Sequence, residues 1–129
     1  MEKSLKDKSP IHQRIVTILK NIPKGKVVTY GRASALAGVP RGARQVSWIL
    51  NSSTQKYNLP WQRVIGSGGK IAIPGDRGYL EQKRLLLQEG IEFSESDKIN
   101  LDCFQWDPPK STLKKLLKGL PDYIPSKAR

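Results

Sequence analysis

The fold is decided by residues 29–50, which read TYGRASALAGVPRGARQVSWIL. Thr29 can cap a helix over Gly31–Ala37, and Gly38 supplies the C-terminal stop of that helix. After a brief connection, Arg41–Leu50 predicts a second helix with small and apolar residues on its inner face. Two short helices joined so tightly predict a helix-turn-helix whose second helix carries Arg41 and Arg44 and is the recognition helix. Many helical hairpins bind no nucleic acid, so this motif alone does not assign a function.

The segment before this motif predicts an amphipathic helix. Ser9 is a suitable N-cap, and Pro10 suits the first helical position. Isoleucines then recur at helical spacing, at Ile11, Ile15, Ile18 and Ile22. The helix should end before Pro23. Residues 1–8 are charged and aperiodic, and we expect a flexible arm there.

The segment after the motif predicts shorter elements. Residues 51–59 are polar and predict a loop, and Lys70–Ile73 after a Gly-rich turn predicts a short strand that would form a wing. Tyr79–Glu89 predicts a helix that stops at Gly90. Alternation in Ile91–Phe93 and Ile99–Phe104 predicts edge strands. We therefore expect a mostly α-helical, winged-helix-like domain with a small β component over residues 9–107.

A basic extension, residues 108–129, follows that domain. Pro108 and Pro109 interrupt the chain, and Ser111–Leu120 then has leucines at helical spacing between lysines. This pattern favours an amphipathic helix that docks on the domain or on an anionic partner. A solvated, fraying tail explains the composition equally well.

Composition excludes several classes of protein. The chain has 129 residues, one cysteine, Cys103, and one histidine, His12. Its single cysteine can form no intrachain disulfide. The chain also lacks the several Cys and His ligands of a structural zinc site, and we expect neither a metal nor a cofactor. Since we see no apolar run of membrane-spanning length and no signal peptide, we expect a soluble protein of the cytoplasm or nucleus, with no membrane partner.

The charge balance indicates a polyanionic partner. Lys and Arg total 23 against 11 Asp and Glu, so the net charge is +12, and the isoelectric point is near 10.0. Nucleic acid is the usual partner of so basic a small protein, although positive charge also aids solubility.

Four ordered motifs resemble the DNA-binding domain of the O6-alkylguanine-DNA alkyltransferases. Residues 22–31, IPKGKVVTYG, resemble the opening of that domain, and residues 43–46, ARQV, resemble its recognition-helix motif. Residues 60–64, PWQRV, stand where the family has Pro-Cys-His-Arg-Val, and residues 86–90, LLQEG, resemble its final helix. The resemblance covers about residues 11–107 and implies a helix-turn-helix domain that acts on DNA as a monomer.

The chain departs from the enzymes at Trp61 and Gln62. Trp61 occupies the position of the cysteine that accepts the alkyl group, and tryptophan there resembles the alkyltransferase-like proteins, which recognise alkylated DNA without repairing it. Alkyl transfer needs an activated thiolate, and an indole offers no comparable nucleophile. Gln62 replaces a histidine and cannot act as a base, so Glu89 would only pair with Arg63. Cys103 lies in a predicted strand, and we expect it to be a small buried hydrophobe rather than a displaced nucleophile.

The resemblance also implies roles for individual residues. Arg44 would fill the gap left by a flipped nucleotide, and Tyr30 would crowd the 3′ phosphate and touch the flipped base. Further DNA contacts would come from Arg41, Ala43, Ser47 and Ser67. The lesion pocket would be formed by Tyr30, Trp61, Gln62, Val64, Gly75 and Arg77. Trp48 is unexpectedly large for a recognition helix, and either a wedge into DNA or packing under the following loop would explain it.

These residues favour a non-enzymatic sensor that flips O6-alkylguanine out of double-stranded DNA. The resemblance further implies that the lesion passes to nucleotide excision repair proteins. The alternative is a winged-helix regulator without lesion specificity, in which Arg41–Leu50 reads the major groove. A third hypothesis is an enzyme that uses Cys103.

Overall fold

The computed structural model describes Leu5 and residues 8–123. A two-stranded parallel sheet pairs β1, Val28–Thr29, with β2, Val64–Ile65, and Val28 lies opposite Val64. Two short 3-10 turns flank β2, at Trp61–Arg63 and Ser67–Gly69. The α-helices are α1 (Pro10–Lys20), α2 (Tyr30–Leu36), α3 (Ala43–Tyr57), α4 (Asp76–Gln88), α5 (Leu101–Phe104) and α6 (Lys110–Leu117). The predicted class, mostly α-helical with a small β component, is confirmed.

Local capping explains where the first two helices begin. The Ser9 hydroxyl accepts a hydrogen bond from the His12 amide at 3.2 Å, and Pro10 opens α1, as predicted. The Thr29 hydroxyl accepts from the Arg32 amide at 3.0 Å, so α2 follows β1 without a loop. Both caps satisfy amides that the first helical turn leaves without a partner.

The helix-turn-helix is formed by α2 and α3. Gly38 ends the α2 segment with φ of 77°, a conformation that favours glycine. A Cβ atom on Gly42 would lie 2.9 Å from Val39 Cγ1 and 3.0 Å from Ser34 Cβ, so only glycine permits this close approach at the start of α3. The predicted motif is confirmed, and α3 begins against α2 with Arg44 in its first turn.

The predicted loop over residues 51–59 is wrong, because α3 continues to Tyr57. Its polar second half packs on α1: Ser53 is buried, and its hydroxyl lies 3.4 Å from His12 Nε2. The Tyr57 ring meets the His12 ring edge-on at 6.0 Å. Tertiary contacts outweigh the weak helix propensity of this serine- and threonine-rich run.

The predicted strands beyond β2 are also wrong. Lys70–Ile73 forms no strand, and Phe93 and Ile99 make only an isolated antiparallel bridge. Residues Leu101–Phe104 form α5, because the Asn100 side chain accepts a hydrogen bond from the Asp102 amide at 3.0 Å. Cys103 on this helix is exposed, so the expectation of a buried cysteine is wrong.

The C-terminal segment docks on the domain as far as the structure describes it. Leu113 and Leu117 of α6 pack against the core that α1, α2 and α3 share, and Tyr123 packs there as well. Arg14 of α1 donates to the Pro121 carbonyl at 3.2 Å. Residues 1–4, 6–7 and 124–129 of the predicted arm and extension lie outside the described residues.

A carboxylate joins three segments that are distant in sequence. Glu89 Oε1, just after α4, accepts from the Gly25 amide and from Arg63 Nε, both at 3.0 Å, and Glu89 Oε2 accepts from Gln62 Nε2 at 2.8 Å. Arg63 Nη1 in turn donates to the Ile22 carbonyl at 2.8 Å. We call Glu89, Arg63, Gln62 and Gly25 the Glu89 cluster, and it confirms the predicted pairing of Glu89 with Arg63.

The Glu89 cluster is largely shielded from water, which determines its charge state. The exposed fraction of the side chain is 8% for Glu89 and 19% for Arg63. Burial alone would raise the pKa of Glu89, but hydrogen bonds from Arg63, Gly25 and Gln62 and the charge of Arg63 outweigh burial and lower that pKa. The carboxylate is therefore ionised at neutral pH, and its stabilisation is lost as the pH falls through the lowered pKa.

We expect Glu89→Gln to lower the free energy of unfolding at pH 7 by about 3 kcal/mol, because it leaves a mostly buried Arg63 charge unpaired. Urea denaturation at a series of pH values measures this loss. The difference from the native protein should shrink as the pH falls through the lowered pKa of Glu89, where the native carboxylate also becomes protonated.

Glu81→Gln is the matched control for this variant. Glu81 pairs with Arg84 on the exposed surface of α4, with side chains about half exposed, and solvent screens that pair. Equal destabilisation by the two substitutions would contradict the structural role of the Glu89 cluster.

Candidate nucleic-acid interface

The helix α3 borders an open cleft of about 910 Å³, which we call the Trp61 cleft. Ala43, Arg44 and Ser47 form its wall along α3, and Trp61 and Val64 form the wall opposite. Tyr30, Ile73, Pro74 and Gln82 also line the cleft, together with residues of the second half of α3. The structure thus brings together six of the predicted site residues, which are Tyr30, Ala43, Arg44, Ser47, Trp61 and Val64.

The first turns of α3 present small and cationic side chains to solvent. Ala43, Arg44 and Ser47 are all exposed, and α3 contains no acidic residue. Small side chains allow close approach of a partner's backbone, and the guanidinium of Arg44 projects a positive charge from the same surface. This part of the helix suits contact with a polyanion.

Trp61 is positioned by the turn that precedes β2. Its amide donates to the Leu59 carbonyl at 2.8 Å, and the Arg63 amide donates to the Pro60 carbonyl at 3.0 Å. Trp61 is half-buried, so part of its surface remains available in the cleft. The neighbouring Gln62 points away from the cleft, since its amide donates to Glu89.

Gln82 is a buried residue that sequence reasoning missed. The exposed fraction of this side chain is 2%, and its amide donates to the carbonyls of Gln62 at 3.0 Å and Val64 at 2.9 Å. The Val64 amide donates to the Trp61 carbonyl. The Trp61 and Val64 carbonyls therefore each accept an intramolecular hydrogen bond, and a carbonyl oxygen with two lone pairs can accept a second one.

Tyr30 lies at the start of α2, beside the cleft. Burial raises the pKa of its hydroxyl above the ordinary value for tyrosine. The hydroxyl is therefore neutral at physiological pH and can donate a hydrogen bond to a phosphate or a base.

Several predicted residues lie outside the lining of the cleft. Gly75 precedes α4 with φ of 87°, and Arg77 is exposed on the first turn of α4. Ser67 and Arg41 are also exposed, and Arg41 has φ of 57° in the connection before α3. Their roles toward DNA stay predictions, as does that of Gln62.

Cys103 is separated from the Trp61 cleft. It lines a different, smaller cleft of about 520 Å³ formed by α5 and the residues near Phe93. Within the described part of the chain, no group of three or more His, Cys, Asp or Glu residues is arranged to hold a metal ion. Among the same residues, no helix is both long and apolar enough to cross a membrane.

Two known proteins are similar to this chain in sequence. A DNA base-flipping protein of Vibrio parahaemolyticus is 45% identical over 95 residues, which span 74% of this chain and 94% of that protein. Alkyltransferase-like protein 1 of Schizosaccharomyces pombe is 33% identical over 102 residues, which span 75% of this chain and 94% of that protein.

A solved structure extends the similarity to three dimensions. The crystal structure of S. pombe Atl1 in complex with damaged DNA containing O6-carboxymethylguanine matches with a TM-score of 0.65 and 32% identity, covering 76% of this chain and 95% of that one. A family profile, described as the DNA-binding domain of 6-O-methylguanine DNA methyltransferase, matches residues 10–91. That range contains the helix-turn-helix, the Trp61 turn and Glu89, and the chain therefore belongs to this DNA-binding-domain family.

Proposed function

We propose that the protein recognises O6-alkylguanine in double-stranded DNA by turning the damaged nucleotide into the Trp61 cleft, and that it leaves the alkyl group in place. The observation that carries this proposal is Trp61 itself. It stands at the position that resembles the alkyl-accepting cysteine, and it forms a wall of an open cleft beside the recognition helix. The site keeps room for a base and lacks a cysteine thiol.

The surroundings of Trp61 support binding without chemistry. A thiolate nucleophile needs a base or a positive environment for its activation. The neighbouring side chain is the amide of Gln62, which has no basic nitrogen and is engaged with Glu89 at 2.8 Å. Cys103, the one cysteine of the chain, is exposed on α5 and lines another cleft.

The similar proteins support DNA as the partner. The Vibrio relative is named for base flipping, and S. pombe Atl1 was crystallised with damaged DNA. By extension to this chain, α3 enters the minor groove, Arg44 fills the space of the flipped nucleotide, and Tyr30 contacts the adjoining phosphate. Arg41, Ala43, Ser47 and Ser67 contact the backbone around the lesion.

The Trp61 cleft would then discriminate between guanine and its alkylated form. Stacking on the indole of Trp61 favours any flipped purine, and an alkyl group adds apolar surface to that contact. The Trp61 and Val64 carbonyls would accept hydrogen bonds from the guanine amino group. Residues 73–75 and the first turn of α4 would close over the base and bring Gly75 and Arg77 beside it.

The protein would act as a monomer in the compartment that contains the DNA, in the cytoplasm or nucleus. Holding a lesion without removing it has a use only if another activity excises the damage. We therefore propose that the complex directs nucleotide excision repair proteins to the site.

We expect no transfer of the alkyl group. After incubation with a duplex that carries radiolabelled O6-methylguanine, the label should remain on the DNA and none should appear on the protein. Trp61→Cys alone should also show little transfer, because Gln62 provides no base. The double variant Trp61→Cys with Gln62→His tests whether the missing groups suffice, and label on the native protein would contradict the proposal.

Arg44→Ala and Trp61→Ala should have different effects on binding. In this proposal Arg44 fills the gap in the duplex whether or not the flipped base is damaged. Arg44→Ala should therefore weaken binding to plain and alkylated duplexes alike. It should also abolish the rise in fluorescence of a reporter base that senses flipping. Trp61→Ala should reduce the preference for the alkylated duplex by about 1–3 kcal/mol and affect plain DNA much less. Competitive gel-shift titration measures both affinities.

Two results would favour the regulator without lesion specificity. One is an unchanged reporter signal in Arg44→Ala, and the other is equal weakening of both duplexes by Trp61→Ala. The native protein would then bind DNA without inspecting single bases.

Binding should depend steeply on salt, because the net charge of +12 implies several phosphate contacts. Leu113 and Leu117 of α6 pack on the core, so removing residues 108–129 would also remove packing. Changing the lysines of the α6 region to glutamine keeps those leucines. The lysines to be changed are Lys110, Lys114, Lys115 and Lys118. If α6 contacts DNA, the slope of log K against log salt should become shallower, by about one for each lost contact. An unchanged slope would assign α6 to packing or to a protein partner.

A further inference from the structure

The side of α3 away from Trp61 borders a second open cavity, of about 930 Å³. We call it the Trp48 groove. The N-terminal end of α1 forms one wall with Lys8, Ser9 and His12, and α3 forms the other with Gln45, Trp48 and Lys56. Ser52 and Gln55 border both the Trp48 groove and the Trp61 cleft. The helix α3 therefore forms a ridge between two cavities.

Trp48 is the most exposed large apolar side chain among the described residues, with 67% of its surface accessible. Such exposure excludes packing under the loop that follows, which was one of the two explanations open from sequence. Trp48 lies one helical turn after Arg44, so the two side chains are neighbours on α3, with Arg44 toward the Trp61 cleft and Trp48 toward the Trp48 groove. An exposed indole beside this arginine offers apolar surface and an N–H donor to a partner.

The charge of the Trp48 groove fits a polyanion. Lys8 and Lys56 line it, and none of its lining residues is acidic. Burial, and then the charges of Lys8 and Lys56, lower the pKa of His12. The two ammonium groups thus create a positive potential around a neutral imidazole, in a groove that also presents hydroxyl and amide groups.

The position of the lesion cavity decides which DNA strand meets this groove. A helix that lies in a groove of the duplex has one strand on each side. The damaged nucleotide has to enter the Trp61 cleft, so the damaged strand runs along that side of α3. The complementary strand must therefore pass on the opposite side, over the Trp48 groove.

We infer that the Trp48 groove binds the strand opposite the lesion, with the Trp48 indole against its deoxyribose and base edges and Lys8 and Lys56 near its phosphates. This inference rests on the proposed function, since it assumes that α3 lies in the duplex with the lesion on the Trp61 side. It gives the protein a two-sided grip, in which one cavity inspects the base and the other holds the partner strand.

Affinities for duplex and single-stranded DNA test this assignment. The probes are a duplex with O6-methylguanine, the same duplex with guanine, and the single strand that carries O6-methylguanine. Trp48→Ala should weaken binding to both duplexes by about 5- to 150-fold, as expected for loss of an aromatic contact with DNA, and should change single-strand affinity less than about twofold. Leu87→Ala is the matched control, because Leu87 is 52% exposed on α4 and lines neither cavity.

A crosslinking experiment identifies the strand directly. A benzophenone amino acid in place of Trp48 should crosslink on illumination to the undamaged strand, when each strand is end-labelled in a separate sample. Crosslinking to the damaged strand would overturn the inference. Unchanged duplex affinity in Trp48→Ala, or an equal loss on duplex and single strand, would overturn it as well.

The two proposals fail in distinguishable ways. If the native protein shows no preference for the alkylated duplex, the proposed function fails, whatever the variants show. If the native protein has that preference and Trp48→Ala keeps full duplex affinity, only the assignment of the Trp48 groove fails. Equal thermal unfolding midpoints of the native and Trp48→Ala proteins exclude misfolding as the cause of a loss.

Discussion

The position of the Trp61 turn depends on one ionised carboxylate. Glu89 accepts hydrogen bonds from Gly25, Gln62 and Arg63, and so joins the end of α4 to the turn before β1 and to the turn that carries Trp61. Leaving one of these donors unpaired in this shielded place would cost about 1–3 kcal/mol, and more for the charged guanidinium. The parallel pairing of Val28 with Val64 then fixes the distance between the Trp61 turn and α2.

The same arrangement explains why the chain keeps a framework that resembles a catalytic site. Gln62 lacks the basic nitrogen of a histidine, yet its amide donates to Glu89 at 2.8 Å. A donor is all that the carboxylate requires, so the loss of basicity leaves the Glu89 cluster intact. Gln82 reinforces the turn from the other side through the Gln62 and Val64 carbonyls. Binding geometry and catalytic chemistry are thus separable at this site.

Sequence reasoning succeeded where the determinants are local or carried by a motif. The Ser9 and Thr29 caps, the helix-turn-helix and the pairing of Glu89 with Arg63 are confirmed. It failed where contacts between residues far apart in the sequence determine the structure. Residues 51–57 are helical because Ser53 and Tyr57 pack on His12, which the polar composition could not reveal. Gln82 gave no signal, because a lone glutamine in a polar helix is ordinarily solvated; only its 2% exposure marks it as structural. Cys103 was expected to be buried on residue type, but α5 turns it to solvent.

A sensor without chemistry must obtain all its selectivity from binding. The positive charge of the chain contributes equally to plain and damaged DNA, because phosphate contacts carry no information about the base. Additional lysines therefore raise the affinity for all DNA. They do not raise the ratio of the affinity for damaged DNA to that for plain DNA, which determines selectivity among many undamaged sites. In the proposed function that ratio arises in the Trp61 cleft, from the difference between a flipped guanine and its alkylated form. The Trp48 groove would act on the affinity that plain and damaged DNA share. By holding the partner strand, it would lower the free energy needed to open the duplex at any base. The Trp61 cleft alone would then determine which bases stay flipped.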